Sequence, residues 1–182
     1  MTPPPSSRAT APRRRVQAAA LAALAALTLV AAGCSTPASA EGSDETPIAD
    51  YEGGERTFGQ AYEYGNGLFV QIKAPVEFEP TEQTVGMAEE GVPVKVRVSI
   101  TNGSRTDYKP HTLSAVAVSG GAEATPLTDA SAQIDVTGPS VEVRPAGVVT
   151  FDLAFLVADP SDLTLTVIPA IGGYQPVVYS TR

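Results

Sequence analysis

The sequence is poor in the side chains on which catalytic and metal centres depend. Its 182 residues include one Cys, one His, two Met and no Trp. Zinc and copper need several Cys, His or Met ligands, so the composition argues against such a site. A nucleophile needs an adjacent base, and only His111 and Ser114 offer a candidate pair, without a Gly-x-Ser-x-Gly turn. We therefore expect no enzyme, no resident metal and no cofactor.

Basic residues are also scarce, and they are unevenly placed. Four of the 12 Lys and Arg residues, Arg8 and Arg13 to Arg15, lie at the N-terminus, where no acidic residue occurs. The remainder of the chain carries eight basic and 20 acidic side chains, a net formal charge of −12. Phosphate binding needs clustered Lys and Arg, so we expect no nucleic acid partner and no electrostatic adsorption to an anionic membrane.

An apolar segment, Val16–Ala32, follows the arginines and is separated by Gly33 from the only cysteine, Cys34. The residues Ala31-Ala32-Gly33-Cys34 resemble the lipobox of bacterial lipoproteins, although Ala31 stands where Leu is commonest. The resemblance implies a diacylglyceryl thioether on Cys34 and cleavage after Gly33. Residues 1–33 are then a signal peptide, and the protein is held at the extracellular face of the cell membrane through its lipid.

Two alternatives for this segment stay open. Val16–Ala32 is near the lower limit for spanning a bilayer, so an uncleaved transmembrane anchor is the first alternative. It would lack the positive charges that usually follow such a span. Arg13-Arg14-Arg15 leaves twin-arginine export open beside general secretion.

Residues 34–55 are predicted to form an acidic, flexible tether. They are rich in Ser, Thr, Pro, Gly, Asp and Glu, with little apolar surface to bury. A random coil of this length reaches on the order of 25 Å, enough to carry a domain clear of lipid headgroups.

From residue 56 the hydrophobic pattern has a period of two, which is typical of half-buried strands. Val92–Thr101 is the clearest example, because Val94, Val96, Val98 and Ile100 alternate with polar side chains such as Lys95 and Arg97. In the same way Val149, Phe151, Leu153, Phe155 and Val157 alternate within Val148–Ala158, and Leu163, Leu165 and Val167 within Leu163–Pro169. Further strands are predicted at Thr57–Tyr64, Leu68–Ala74, Thr112–Ser119, Ala122–Thr128, Ser140–Arg144 and Tyr174–Ser180, with a short edge strand and a loop in Pro75–Gly91.

Turn residues separate these strands. Gly65-Asn66-Gly67 indicates a hairpin, because Asn-Gly favours a type I′ turn with positive φ at both central residues. With about 7–9 strands and no helical window, residues 56–182 are predicted to form an all-β, immunoglobulin-like antiparallel β-sandwich.

The order of these segments resembles a family of actinobacterial surface lipoproteins of unknown function. The most specific parts are the strand that runs into an Asn, Val94–Asn102, and the Pro-x-Gly step into a Phe-rich strand, Pro145–Phe155. The resemblance covers about Thr57–Thr181 and implies an immunoglobulin-like domain similar in fold to the mycobacterial immunoprotective extracellular protein. It implies no catalytic motif.

Two further chemistries are open at this point. Calcium binds carboxylate and carbonyl oxygens, and the candidates are Glu77, Glu79 and Glu82, or Asp159 and Asp162, neither set with EF-hand spacing. The chain also has six tyrosines, which could form an interaction patch or pack in the core: Tyr51, Tyr62, Tyr64, Tyr108, Tyr174 and Tyr179.

We expect a lipid-anchored extracellular binding module of unknown ligand, possessing no catalytic activity. Its contacts would lie on loops at the sandwich ends or at the edge strand near Pro75–Pro80. The alternatives are an accessory subunit of a cell-envelope enzyme and a structural spacer without a ligand.

Overall fold

A computed structural model describes residues 50–182, which form two β-sheets and one short 3-10 turn, Pro110–Thr112. Twelve strands lie in this range: β1 Gly54–Thr57, β2 Ala61–Glu63, β3 Leu68–Ile72, β4 Val76–Glu77, β5 Thr84–Val85, β6 Val92–Asn102, β7 Ser114–Ser119, β8 Ala122–Glu123, β9 Thr125–Asp129, β10 Val148–Val157, β11 Leu163–Ile168 and β12 Val177–Ser180. No helix in the described range is long and apolar enough to cross a membrane.

The strands are divided between two facing sheets. Sheet 1 has the order β1-β12-β11-β7-β8, and sheet 2 has the order β2-β3-β6-β10-β9-β5 with β4 added against β6. Every strand pair is antiparallel except β1 with β12, which run parallel from Gly54↔Val177 to Thr57↔Ser180. The predicted all-β antiparallel sandwich is therefore confirmed, and its arrangement is consistent with an immunoglobulin-like domain.

The centre of sheet 2 is the long pair of β6 and β10, in register from Val148↔Thr101 to Val157↔Val92. The four alternating apolar side chains of β6 are completely buried, as the sequence predicts. They face Leu163, Leu165 and Val167 of sheet 1 in one continuous core. Each such side chain contributes roughly 1.5–3 kcal/mol on burial, and these two inner faces hold the sheets together.

The C-terminal half of β10 is buried on both faces, which the alternating pattern did not predict. Ala154 and Leu156 lie on the face away from the main core and pack with Leu127 and Ile134 in a second cluster, against which Phe78 also packs. The outer face of sheet 2 is therefore covered in this half.

A buried carboxylate fixes this cover in place. Asp129, at the end of β9, is fully buried and accepts hydrogen bonds from the Thr81 backbone N–H and hydroxyl, the Thr84 hydroxyl and the Ala132 backbone N–H. These bonds, led by the one from Thr84, hold the pKa of Asp129 far below its usual value. The carboxylate thereby joins β5 and the turn before it to the end of β9 and the turn that follows β9.

The structure corrects three details of the predicted strands. Twelve strands replace the expected 7–9, partly because a turn at Gly59 divides Thr57–Tyr64 between the two sheets. Ser140–Arg144 is not a strand, since only Val143 pairs, in a single bridge with Tyr108. The hairpin between β2 and β3 has three loop residues closed by the Tyr64–Leu68 pair, and only Gly67 has positive φ (88°), so the turn is not type I′.

Candidate functional site

The other half of the outer face of sheet 2 is open to solvent. Its outward side chains come from alternate positions of three strands, because neighbouring strand residues face opposite sides. They are Phe69, Gln71 and Lys73 near β3, Lys95, Arg97, Ser99 and Thr101 on β6, and Val148, Thr150 and Asp152 on β10. Three shallow depressions lie on this open half.

The first depression, which we call the basic notch, has a volume of about 400 Å³. It is lined by six residues: Lys73, Ala74, Val76, Lys95, Arg97 and Asp152.

The notch forms because β3 and β4 pair in succession with the same edge of β6. Ile72 pairs with Val98, and Val76 pairs with Lys95. The chain therefore advances by four residues from β3 to β4 while β6 advances by only three. The extra residue, next to Pro75, interrupts the ladder as a β-bulge does. The interruption leaves a gap above Arg97 and Lys95.

The charges in the notch are predominantly positive. Arg97 and Asp152 form a two-bonded pair, with Nε–Oδ1 at 2.9 Å and an Nη2–Oδ2 distance of 3.0 Å. Bonding to Asp152 raises the pKa of Arg97, while the 59% exposure of its side chain leaves the pair open to screening by solvent and salt. Within residues 50–182, neither Lys73 nor Lys95 forms an ion pair. The notch therefore carries two uncompensated positive charges.

The two neighbouring depressions add no net charge. One, also about 400 Å³, shares Arg97 and Asp152 and is otherwise lined by uncharged residues that include Gln133 and Thr150. The other, about 340 Å³, is lined by Ala61, Phe69, Gln71, Ser99 and Thr101. The open half of the sheet is thus a polar and apolar surface with its positive charge concentrated at one end.

The tyrosines gather mainly at one end of the sandwich. The rings of Tyr51 and Tyr174 lie 4.9 Å apart, those of Tyr174 and Tyr64 5.0 Å, and those of Tyr64 and Tyr62 4.8 Å. The last two contacts are edge-to-face, a favourable aromatic geometry. The guanidinium group of Arg56 lies over the ring of Tyr62, with Cζ 4.9 Å from the ring centroid.

The tyrosine hydroxyls bond mostly to backbone carbonyls. Tyr64 donates to Gln175 O at 3.0 Å, Tyr108 to Pro169 O at 2.7 Å and Tyr179 to Val70 O at 2.7 Å. These three side chains are buried, and burial raises each pKa above the ordinary 10.0. Because each hydroxyl joins segments distant in sequence, the structure favours core packing over an interaction patch for these three tyrosines.

The candidate catalytic pair is not assembled into a cleft. His111 is exposed on the 3-10 turn, and Ser114 is exposed at the start of β7. Neither residue lines any of the three depressions on sheet 2, nor a fourth of about 410 Å³ between β8 and the end of β10.

The acidic residues considered for calcium are not brought together. Asp159 accepts hydrogen bonds from the backbone N–H and hydroxyl of Ser161, and Asp162 is paired with Arg182 at 2.9 Å. Glu77, Glu79 and Glu82 are exposed near the sheet edge. In the part of the chain that the structure describes, no three His, Cys, Asp or Glu side chains could hold one metal ion.

Cys34, with the signal peptide and most of the tether, lies outside the described residues. The lipid-attachment prediction therefore stays a prediction.

Sequence reasoning placed Lys95 and Arg97 on the outward face of β6 but did not connect them with Lys73 or Asp152. The signal available was positional parity, since Phe69, Gln71 and Lys73 alternate with the buried side chains of β3. This alternation predicts on which face of the sheet a side chain lies. The notch itself depends on which residues of β6 are paired with β3 and with β4, and alternation does not predict that register.

The fold and the surface define the class of protein: an antiparallel β-sandwich whose candidate site is an open sheet face. No protein-family model matches the chain, and no curated protein matches it. The yjhA protein from Bacillus subtilis is similar in structure over 69% of this chain and 98% of its own, with a TM-score of 0.54 and 11% identity. An uncharacterized β-sandwich protein from Clostridium difficile 630 aligns over 76% of this chain and all of its own, with a TM-score of 0.41 and 11% identity. At 11% identity, the first likeness shows a shared fold alone.

Proposed function

We propose that this protein is a lipid-anchored binding module at the extracellular face of the cell membrane, without catalytic activity of its own. The observation that carries the binding role is the open half of sheet 2, where a strongly acidic chain presents a concentrated positive charge. The lipobox-like residues ending at Cys34 support the anchor. On the order of its segments, we further propose that the chain belongs to the actinobacterial surface lipoproteins that it resembles.

The anchor is tested by Cys34→Ala. We expect the variant to appear in the medium or as an unprocessed precursor, because the thiol that would carry the lipid is gone. Fractionation and mass spectrometry of the native protein give the readout, with an acylated peptide beginning at Cys34 expected. A mature-sized Cys34→Ala protein in the membrane fraction would contradict lipidation, and an intact Leu21–Ala32 segment would support a transmembrane helix.

The binding role is tested by crosslinking on intact cells followed by identification of the partner. We expect a discrete envelope protein to be crosslinked to the sandwich. Crosslinking to the catalytic chain of an envelope enzyme would assign the protein as its accessory subunit. Absence of any specific crosslink would favour a structural spacer and contradict the proposal.

A further inference from the structure

We infer that the basic notch binds an extended acidic peptide segment of another envelope protein. In this arrangement, carboxylates of the segment contact Lys73 and Lys95, and small apolar side chains lie over Ala74 and Val76. The inference rests on the proposed function in that it names the class of partner for the same module.

The distribution of charge carries the first step. Residues 50–182 contain eight basic and 17 acidic side chains, so a cluster of cations is unexpected. Three of those eight, Lys73, Lys95 and Arg97, line a single depression. Its one acid, Asp152, is already bonded to Arg97. A complementary ligand is therefore negatively charged, and charge complementarity would guide its encounter with this end of the sheet.

The second step concerns the uncharged lining of the notch. Ala74 is exposed, and Val76 is 53% exposed despite being a large apolar side chain. A bare phosphate polymer has few apolar groups to cover this surface. A peptide that combines Asp or Glu with small apolar residues satisfies both parts of the lining.

The third step concerns the edge of the sheet. Among the described strands, β4 pairs with β6 alone, and the hydrogen bonds along the outer edge of β3 end where the Gly59 backbone N–H donates to Ile72 O. An extended segment can therefore lie alongside β4, in the manner of β-strand addition. A second copy of this chain is disfavoured there, because Lys73 and Lys95 of two notches would repel each other.

The experiment uses the full-length gene product, purified in the processed form that the expressing cells retain. The probe is a fluorescein-labelled copolymer of L-glutamate and L-alanine, and binding is followed by fluorescence anisotropy at low and physiological salt. We expect saturable binding that weakens with salt. The double variant Lys73→Glu/Lys95→Glu should bind at least about tenfold more weakly, whereas Lys73→Arg/Lys95→Arg should retain binding.

The matched control is Arg105→Glu/Lys109→Glu, which changes the net charge by the same amount at exposed positions outside the notch. Circular dichroism and thermal melting establish that each variant is folded. Equal weakening by the two charge-reversal pairs would overturn the inference, because the overall field would then explain binding. Failure of the probe to bind would also overturn it.

Inorganic polyphosphate provides the competing arm. If it binds the notch more tightly than the glutamate–alanine copolymer, the ligand is a phosphate polymer and the acidic-peptide inference is wrong. Failure in these assays is distinguishable from failure of the proposed function. Cys34→Ala fractionation reports the anchor, and crosslinking reports partners held by any other surface.

Discussion

Asn102, the residue that ends β6, is predicted to be a major determinant of stability at one end of the sandwich. Its side chain is fully buried. The amide nitrogen donates to Thr106 O at 2.8 Å and to Val143 O at 2.7 Å. The amide oxygen accepts from the backbone N–H of Ser104 at 3.1 Å and from its hydroxyl at 2.6 Å. One side chain thus joins the turn after β6 to the segment before β10.

Asn102→Ala removes all four bonds, but it does not leave the two carbonyls without donors. Val143 O still accepts from Tyr108 N at 2.9 Å, and the Ser104 hydroxyl, 3.0 Å from Thr106 O, can turn its single proton to that carbonyl once the amide oxygen of Asn102 is gone. The cost is therefore the net value of the lost bonds, roughly 0.5–1.5 kcal/mol each, without the larger penalty for an unsatisfied buried group. With four bonds lost, we expect the free energy of unfolding to fall by about 2–6 kcal/mol.

The assay is urea unfolding followed by circular dichroism, because the chain has no Trp. Asn102→Asp serves as a second variant, since it keeps the acceptor for Ser104 but places a carboxylate against two carbonyl oxygens. Its folded-state pKa should be raised, so its stability relative to wild type should improve as pH falls from about 7 toward 4. A loss below about 1 kcal/mol for Asn102→Ala, or a pH-independent deficit for Asn102→Asp, would refute this account.

Two further predictions concern ionisable groups. Because the folded-state pKa of Asp129 is depressed, its carboxylate stabilises the fold above about pH 4, and this stabilisation is lost as pH falls further. When the urea midpoint is measured against pH, Asp129→Asn should therefore lose less stability below about pH 4 than the wild type does. An unchanged acid side in that variant would contradict a role for the carboxylate. For Tyr64, Tyr108 and Tyr179 the folded-state pKa is raised, so their stabilisation is present below about pH 10 and lost above it. Tyrosinate absorbance should report their ionisation only in step with unfolding measured by circular dichroism, and ionisation in the folded state near pH 10 would contradict their burial.

The parts of the fold that the sequence predicts are those determined by neighbouring residues. Alternation alone identified the buried side chains of β6, because a strand with one covered face imposes a period of two. The strands around Gly65-Asn66-Gly67 were also predicted, although the loop has three residues and a single positive φ, at Gly67. Local composition indicated a turn there, but the pairing of Tyr64 with Leu68 selected its type.

The parts that were missed depend on contacts between distant segments. Ala154 and Leu156 alternate with core residues and so were expected on an exposed face. They are buried because the segments that contain Phe78 and Ile134 fold over this face and pack against it. The hydrogen bonds of Asp129 fix those segments in place. A pattern of neighbouring residues cannot predict that a distant segment will pack on this face.

The candidate site was missed for a related reason. Lys73, Lys95 and Asp152 belong to three stretches of sequence, and their proximity follows from the pairing of β3, β4 and β10 with β6. The notch also needs the extra residue between Ile72 and Val76. That residue opens a gap only because β3 and β4 both pair with β6.

The parallel pairing of β1 with β12 has a mechanical consequence. Tyr51 forms an isolated parallel bridge with Tyr174, and β1 then runs beside β12 through four register pairs. A pull on the chain before Asp50, directed along β1, loads the hydrogen bonds of this pair in shear. Several bonds must then fail together, whereas a pull across the strand would open them one at a time. A domain held from this end resists the drag of a bound partner best when the load follows the strand axis.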